Sequence, residues 1–115
     1  MSNELLPEMT RELAAKRREL APDVMDAWRN FNQAVFRDGA LPSVTKELIA
    51  VAVAHTTQCP YCIQSHTKAA LRKGASEEQL MEAIWVAAEM RAGGAYAHSA
   101  VALKQMVDHA HDKKS

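Results

Sequence analysis

No proline follows Pro60. The chain's four prolines are Pro7, Pro22, Pro42 and Pro60, and glycine is equally sparse, with four in 115 residues. Glycine and proline are the strongest local breakers of secondary structure. The half of the chain beyond Pro60 is instead dense in Ala, Leu, Glu, Lys, Gln and Met, which favour helix. The expectation is an all-α fold: a single-domain helical bundle of about five to six helices over residues 1–115, with its core at about 20–110. A chain of this length buries roughly two-thirds of its unfolded surface, enough for one modest core.

The helices can be placed from periodicity. Residues 8–19 form a charged candidate with a weak apolar stripe of Met9, Leu13 and Leu20. From Pro22, residues Val24, Met25, Trp28, Phe31, Val35 and Phe36 recur near helical spacing until Asp38-Gly39 breaks the pattern. Pro42-Ser43 reopens it, with Ser43 the expected N-cap. Residues 49–54, IAVAVA, alternate and could be a strand. A strand running into Cys-Pro-Tyr-Cys would be thioredoxin-like, and that tetrapeptide is familiar from glutaredoxins. That fold needs further strands and a cis-proline loop downstream. With no proline after Pro60, the loop cannot form. Residues 44–57 are therefore expected to be a helix, apolar nearly all round, buried in the core or in an oligomer interface. A helix ending at Gly74 follows, then a capping-box signature in Ser76-Glu-Glu-Gln79. The next helix carries Leu80, Ile84, Ala87 and Ala88 on one side. Gly93-Gly94 is expected to interrupt it or to allow a close crossing, with a last helix running to about 109. Trp28 and Trp85 are expected in the core, and Met81, Met90 and Met106 as core or interface filler.

Charge excludes several classes of partner. Lys plus Arg and Asp plus Glu number 14 each, so no basic excess points to nucleic acid. The opening residues carry no apolar run behind a basic region and do not read as a signal peptide. No window has about 18 uninterrupted apolar residues, so no membrane span is expected. A cytoplasmic location is the default expectation. In that reducing compartment a close cysteine pair more often serves catalysis or metal binding than a permanent crosslink.

Both cysteines lie in one stretch, HTTQCPYCIQSH, residues 55–66. Pro60 suits the first helical position, with Cys59 near the N-cap and Cys62 in the first turn. Both sulfurs would sit at the positive end of the helix dipole, which favours thiolate. Three positions apart on a helix, they can reach each other to form a disulfide. His66 lies four residues beyond Cys62 on the same face and can accept a thiol proton. Glu47 is about as far before the turn near 57–59 as His66 is after it. In an antiparallel hairpin the two should meet. A carboxylate in a largely apolar helix needs such a partner. Glu47, His66 and Cys62 then form orienter, base and nucleophile, the general pattern of an activated thiol.

The series Glu47, eleven residues, Cys59, two residues, Cys62, three residues, His66 resembles the signature of the alkylhydroperoxidase D-like branch of the carboxymuconolactone decarboxylase family. The resemblance covers roughly residues 20–110 and extends into Gly74-Ala-Ser-x-Glu-x-Leu-x-Glu-Ala-Ile84. It implies an all-α fold, homotrimers or homohexamers, and thiol-dependent peroxidase or disulfide reductase activity. By that resemblance Cys62 attacks peroxide to give a sulfenic acid, Cys59 resolves it to a disulfide, and His66 and Glu47 relay the proton. No cofactor beyond the Cys59–Cys62 disulfide is implied. The partners implied are a peroxide substrate and an external thiol or protein reductant. Some members have a histidine just before the second cysteine; Tyr61 stands there in this chain. The decarboxylase branch acts on a lactone without this dithiol.

Other readings stay open. The cysteines could be buried and inert, or the dithiol could serve a redox sensor. Zinc could be held by Cys59, Cys62 and His66 with Glu47 or His98. Covalent haem attachment needs a histidine directly after the second cysteine, where Ile63 stands. His55 could line the site or cap its helix. His98 could approach the site from the last helix. His109 and His111 read as a solvated C-terminal stretch.

Overall fold

The computed structural model describes residues 5–114 of the chain; the expectation about a signal peptide falls partly on residues 1–4, which lie outside them. Five helices follow one another: α1 (Arg11–Leu20), α2 (Pro22–Phe36), α3 (Ser43–Thr57), α4 (Pro60–Arg72) and α5 (Glu77–Lys114). Among the described residues there is no strand, and residues 49–54 are helical. The helices fall into two compact units, one through Arg37 and one from Asp38 onward.

In the first unit Thr10 caps α1, its side chain accepting the Leu13 N–H at 3.2 Å. Pro22 opens α2 at its first position, where the missing N–H costs nothing. Arg18 and Asp26 pair across the two helices at 2.6 Å. Both side chains are exposed, so the pair is worth about 0–1 kcal/mol. Trp28, expected in the core, is 57% exposed and lies beside Phe31 with ring centroids 6.0 Å apart. Helical spacing selects a face but cannot say what covers it.

The second unit holds the dithiol. The N-cap of α3 is Pro42 and not Ser43, whose own N–H is taken by Asp38 Oδ1 at 2.7 Å. The aspartate does from the preceding loop what a capping serine would have done. At its other end α3 stops at Gln58, which adopts the left-handed conformation (φ 56°, ψ 48°), and Cys59 N–H returns to Ala54 C=O at 3.1 Å. Pro60 then starts α4. Ser43 pairs with Lys73, and Glu47 with His66, so α3 and α4 form an antiparallel hairpin closed at Gln58.

Gly74 (φ +100°) ends α4, with Ala75 N–H bonded to Ala70 C=O at 2.9 Å. Few residues besides glycine take that conformation without strain. Gly74→Ala is expected to lower stability by about 1 kcal/mol, measurable as a lower urea midpoint at unchanged slope. Ser76 and Gln79 form the expected capping box reciprocally, at 2.9 and 3.1 Å.

The core is small: Val51, Ala70, Ala75 and Leu80 are buried, with Val44, Leu48 and Ile84 packed against them. The helix α3 buries Glu47, Val51 and Ala54 but leaves Ile49 and Val53 about half exposed. Trp85, expected in the core, is 67% exposed, and Met81, Met90 and Met106 are also exposed.

Gly93-Gly94 does not interrupt the final helix; α5 runs on from Glu77 to Lys114. A helix-interior glycine costs about 1 kcal/mol relative to alanine, which weakens a helix without ending it. Neither glycine has positive φ. Nor do they mark a close crossing among the described residues. A Cβ at Gly94 would meet nothing within 4 Å, and one at Gly93 would meet only the flexible Glu89 side chain. No helix among the described residues is long and apolar enough to cross a membrane.

Candidate active site

The turn at Gln58 places Cys59 at the N-cap of α4 and Cys62 in its first turn. The two sulfurs are 2.9 Å apart, and the Cys62 N–H points to Cys59 Sγ at 3.4 Å. Both cysteines are free and half-buried. A disulfide bond is about 2.05 Å long, so roughly an ångström of approach would close one. Position at a helix start leads one to expect both thiols to be acidified, but they separate. The Cys62 thiol and the Cys62 and Tyr61 amides lower Cys59 below the usual thiol value. Cys62 is raised by its hydrogen bond to Cys59, by burial and by the charge on Cys59. Two sulfurs this close share one proton, and the N-cap sulfur collects the helix amides. Thiolate absorbance on titration is therefore expected to rise in two steps, the first below the ordinary thiol value and the second above it. A single step at the ordinary value would contradict that coupling.

Glu47 is 3% exposed. Its Oε1 lies 2.7 Å from His66 Nδ1, and its Oε2 accepts from Lys73 Nζ at 3.0 Å. Burying a carboxylate is costly unless both oxygens are satisfied, and here each oxygen has a partner. With Nδ1 engaged by Glu47, Nε2 is the ring nitrogen that would handle a proton from a thiol. His66 is one turn beyond Cys62 on α4, and its side chain is about three-quarters buried.

The other expected site residues are placed as follows. Tyr61 is 38% exposed beside the dithiol. His55 Nδ1 is bonded to Val51 C=O at 2.7 Å, in the last turn of α3. His98 is exposed on α5, with Nδ1 2.8 Å from Gly94 C=O. Among the described residues no three His, Cys, Asp or Glu side chains are grouped as a metal site requires.

Two contributors were not foreseen. Lys73 reads in sequence as a cation at a helix end, yet its ammonium reaches across to Ser43 Oγ (2.7 Å) and Glu47. The signal was its spacing: Cys62, His66 and Lys73 are four and seven residues apart, one stripe of a helix. Arg91 on α5 donates to the Thr56 carbonyl at the end of α3, a contact no local pattern announces.

The fold and site together define a helical dithiol protein whose cysteine pair sits at a helix start beside a histidine–carboxylate couple. The match to the Carboxymuconolactone decarboxylase family covers residues 22–105, and the chain belongs to that family. It is 65% identical over 78 residues to an uncharacterized protein of the cox locus of Paracoccus denitrificans, covering 68% of this chain and 70% of that one. Among solved structures, an apo carboxymuconolactone decarboxylase family protein from Legionella pneumophila matches with TM-score 0.64 and 40% identity, over 67% of this chain and 69% of that one. A family protein from Thermotoga maritima, described as having a possible part in antioxidative response, matches with TM-score 0.52 and 33% identity, over 55% and 65%.

Proposed function

We propose that this chain is a thiol-dependent peroxidase of the alkylhydroperoxidase D-like branch, reducing hydrogen peroxide or alkyl hydroperoxides. The observation that carries the reading is the pairing of His66 with buried Glu47 across the hairpin that presents Cys59 and Cys62. An inert cysteine pair would need no such couple. The antioxidative description of the Thermotoga maritima relative points the same way.

In the proposed cycle His66, oriented by Glu47, takes the proton of Cys62. The thiolate attacks one peroxide oxygen, the O–O bond breaks, and the alcohol or water leaves with the proton returned by His66. Cys62 is then a sulfenic acid. The sulfur of Cys59 attacks the Cys62 sulfur, hydroxide departs and takes the proton originally on Cys59, and a disulfide forms. The protein loses two hydrogens in all, and the peroxide becomes alcohol and water. An external thiol or protein reductant reopens the disulfide, so the reaction needs no other cofactor. A cytoplasmic site of action accords with that need for reduction.

Assembly into homotrimers or homohexamers belongs to the same proposal. Ile49, Val53, Trp85, Tyr96 and Met106 are exposed apolar side chains that such an interface would cover. A steady-state assay with a small dithiol as reductant tests the reading. Peroxide loss proportional to protein supports it. Loss no faster than with reductant alone, together with ready reduction of a model disulfide, would replace it with a general disulfide reductase.

A further inference from the structure

We propose that Lys73 is a positioning residue of the dithiol site: it carries the counter-charge of Glu47, so that Glu47 can orient His66 without holding a proton on the ring. This rests on the role of His66 as proton acceptor given above.

Glu47 is the one buried charged side chain among the described residues, and its two oxygens point to different partners. Oε1 meets His66 Nδ1, and Oε2 meets Lys73 Nζ. Were His66 the sole partner, the buried carboxylate could be neutralised only by a proton on the imidazole or on itself. An imidazole already protonated cannot accept a thiol proton. An ammonium at 3.0 Å supplies the missing positive charge from the far side. It is held there by Ser43 Oγ at 2.7 Å, in the first turn of α3. Lys73 is the C-cap residue of α4, and its side chain is partly exposed. Its side chain thus runs from the surface to the buried carboxylate. Of the charged and titratable groups, Glu47 from α3 meets His66 directly, Lys73 on the same helix acts through Glu47, and Cys62 lies one turn before His66 on α4. From α5, Arg91 reaches α3 at the Thr56 carbonyl.

The alternative is that Lys73 only ties the ends of α3 and α4 together. The two roles separate in the titration of the His66 ring, followed by NMR in the reduced full-length chain and assigned against His66→Asn. Lys73→Gln keeps a polar side chain but removes the charge; Lys73→Met removes both; Lys73→Arg keeps the charge. Loss of the cation is expected to raise the midpoint of the His66 ring in both Lys73→Gln and Lys73→Met. Lys73→Arg should stay close to the parent. An unmoved or lowered midpoint in Lys73→Gln, with melting temperature alone affected, would overturn the proposal. So would an equal shift in Lys73→Arg. If Lys73→Met does not fold, Lys73→Gln against Lys73→Arg decides alone. The ring titration does not depend on peroxide chemistry. Failure of the peroxidase reading would appear separately, as absent turnover in the parent chain.

Discussion

Cys62→Ser is expected to reduce peroxide consumption to the rate of the reductant alone, a loss on the order of a thousandfold or more. A serine hydroxyl has neither the acidity nor the polarisability to attack an O–O bond. Cys59→Ser should behave differently. It leaves the attacking sulfur in place, so one peroxide is consumed per chain and Cys62 remains as a sulfenic acid, detectable by mass or by a dimedone adduct. The contrast matters because Cys59 is the more acidic thiol of the pair and Cys62 the less acidic one. The thiolate of the more acidic thiol is the weaker nucleophile, so Cys62 is the more reactive sulfur once its proton leaves. His66 is the group placed to remove it. The same asymmetry suits reduction, since attack on Cys62 in the disulfide expels Cys59 as the better leaving thiolate. A sulfenic acid on Cys59 in Cys62→Ser would exchange the two roles.

Glu47→Gln is expected to cost roughly a hundredfold in rate at neutral pH, within the range general-base contributions span. The amide can still accept from the ring at Oε1, and its size is unchanged, so the helical fold should persist. What it loses is the charge that stabilises the imidazolium formed when His66 takes the thiol proton. The deficit should narrow as pH rises past the raised value of Cys62, because solvent then removes the proton without help. Rate–pH profiles of both proteins with a fixed reductant check this. An unaltered rate at neutral pH would remove Glu47 from the mechanism, and a deficit constant with pH would make its role purely structural.

The hairpin was legible because its signals are local. Pro60 at a helix start, Gly74 with positive φ and the Ser76/Gln79 box each act within a few residues, and each fell where chain chemistry requires. The meeting of Glu47 and His66 was legible for a related reason: a short turn and equal distances from it leave little freedom. The failures were not local. Gly93-Gly94 was expected to break a helix, but about 1 kcal/mol per glycine is easily outweighed by a long run of strong helix formers. Trp28 and Trp85 were expected inside, yet both are largely exposed. Their burial depends on what lies opposite, which periodicity does not encode. Lys73 was missed because a long flexible side chain can serve a partner on another helix, and a sequence shows only where it is attached.

In the proposed mechanism Cys59 and Cys62 form a working peroxidatic pair. The most direct measurement adds one equivalent of hydroperoxide to the reduced chain and follows intact mass and thiol content with time. Rapid loss of both thiols with a decrease of two hydrogens in mass, and a Cys59–Cys62 crosslinked peptide, is the expected outcome. Retention of both thiols on that timescale, or oxygen added to one cysteine with no crosslink, would contradict it.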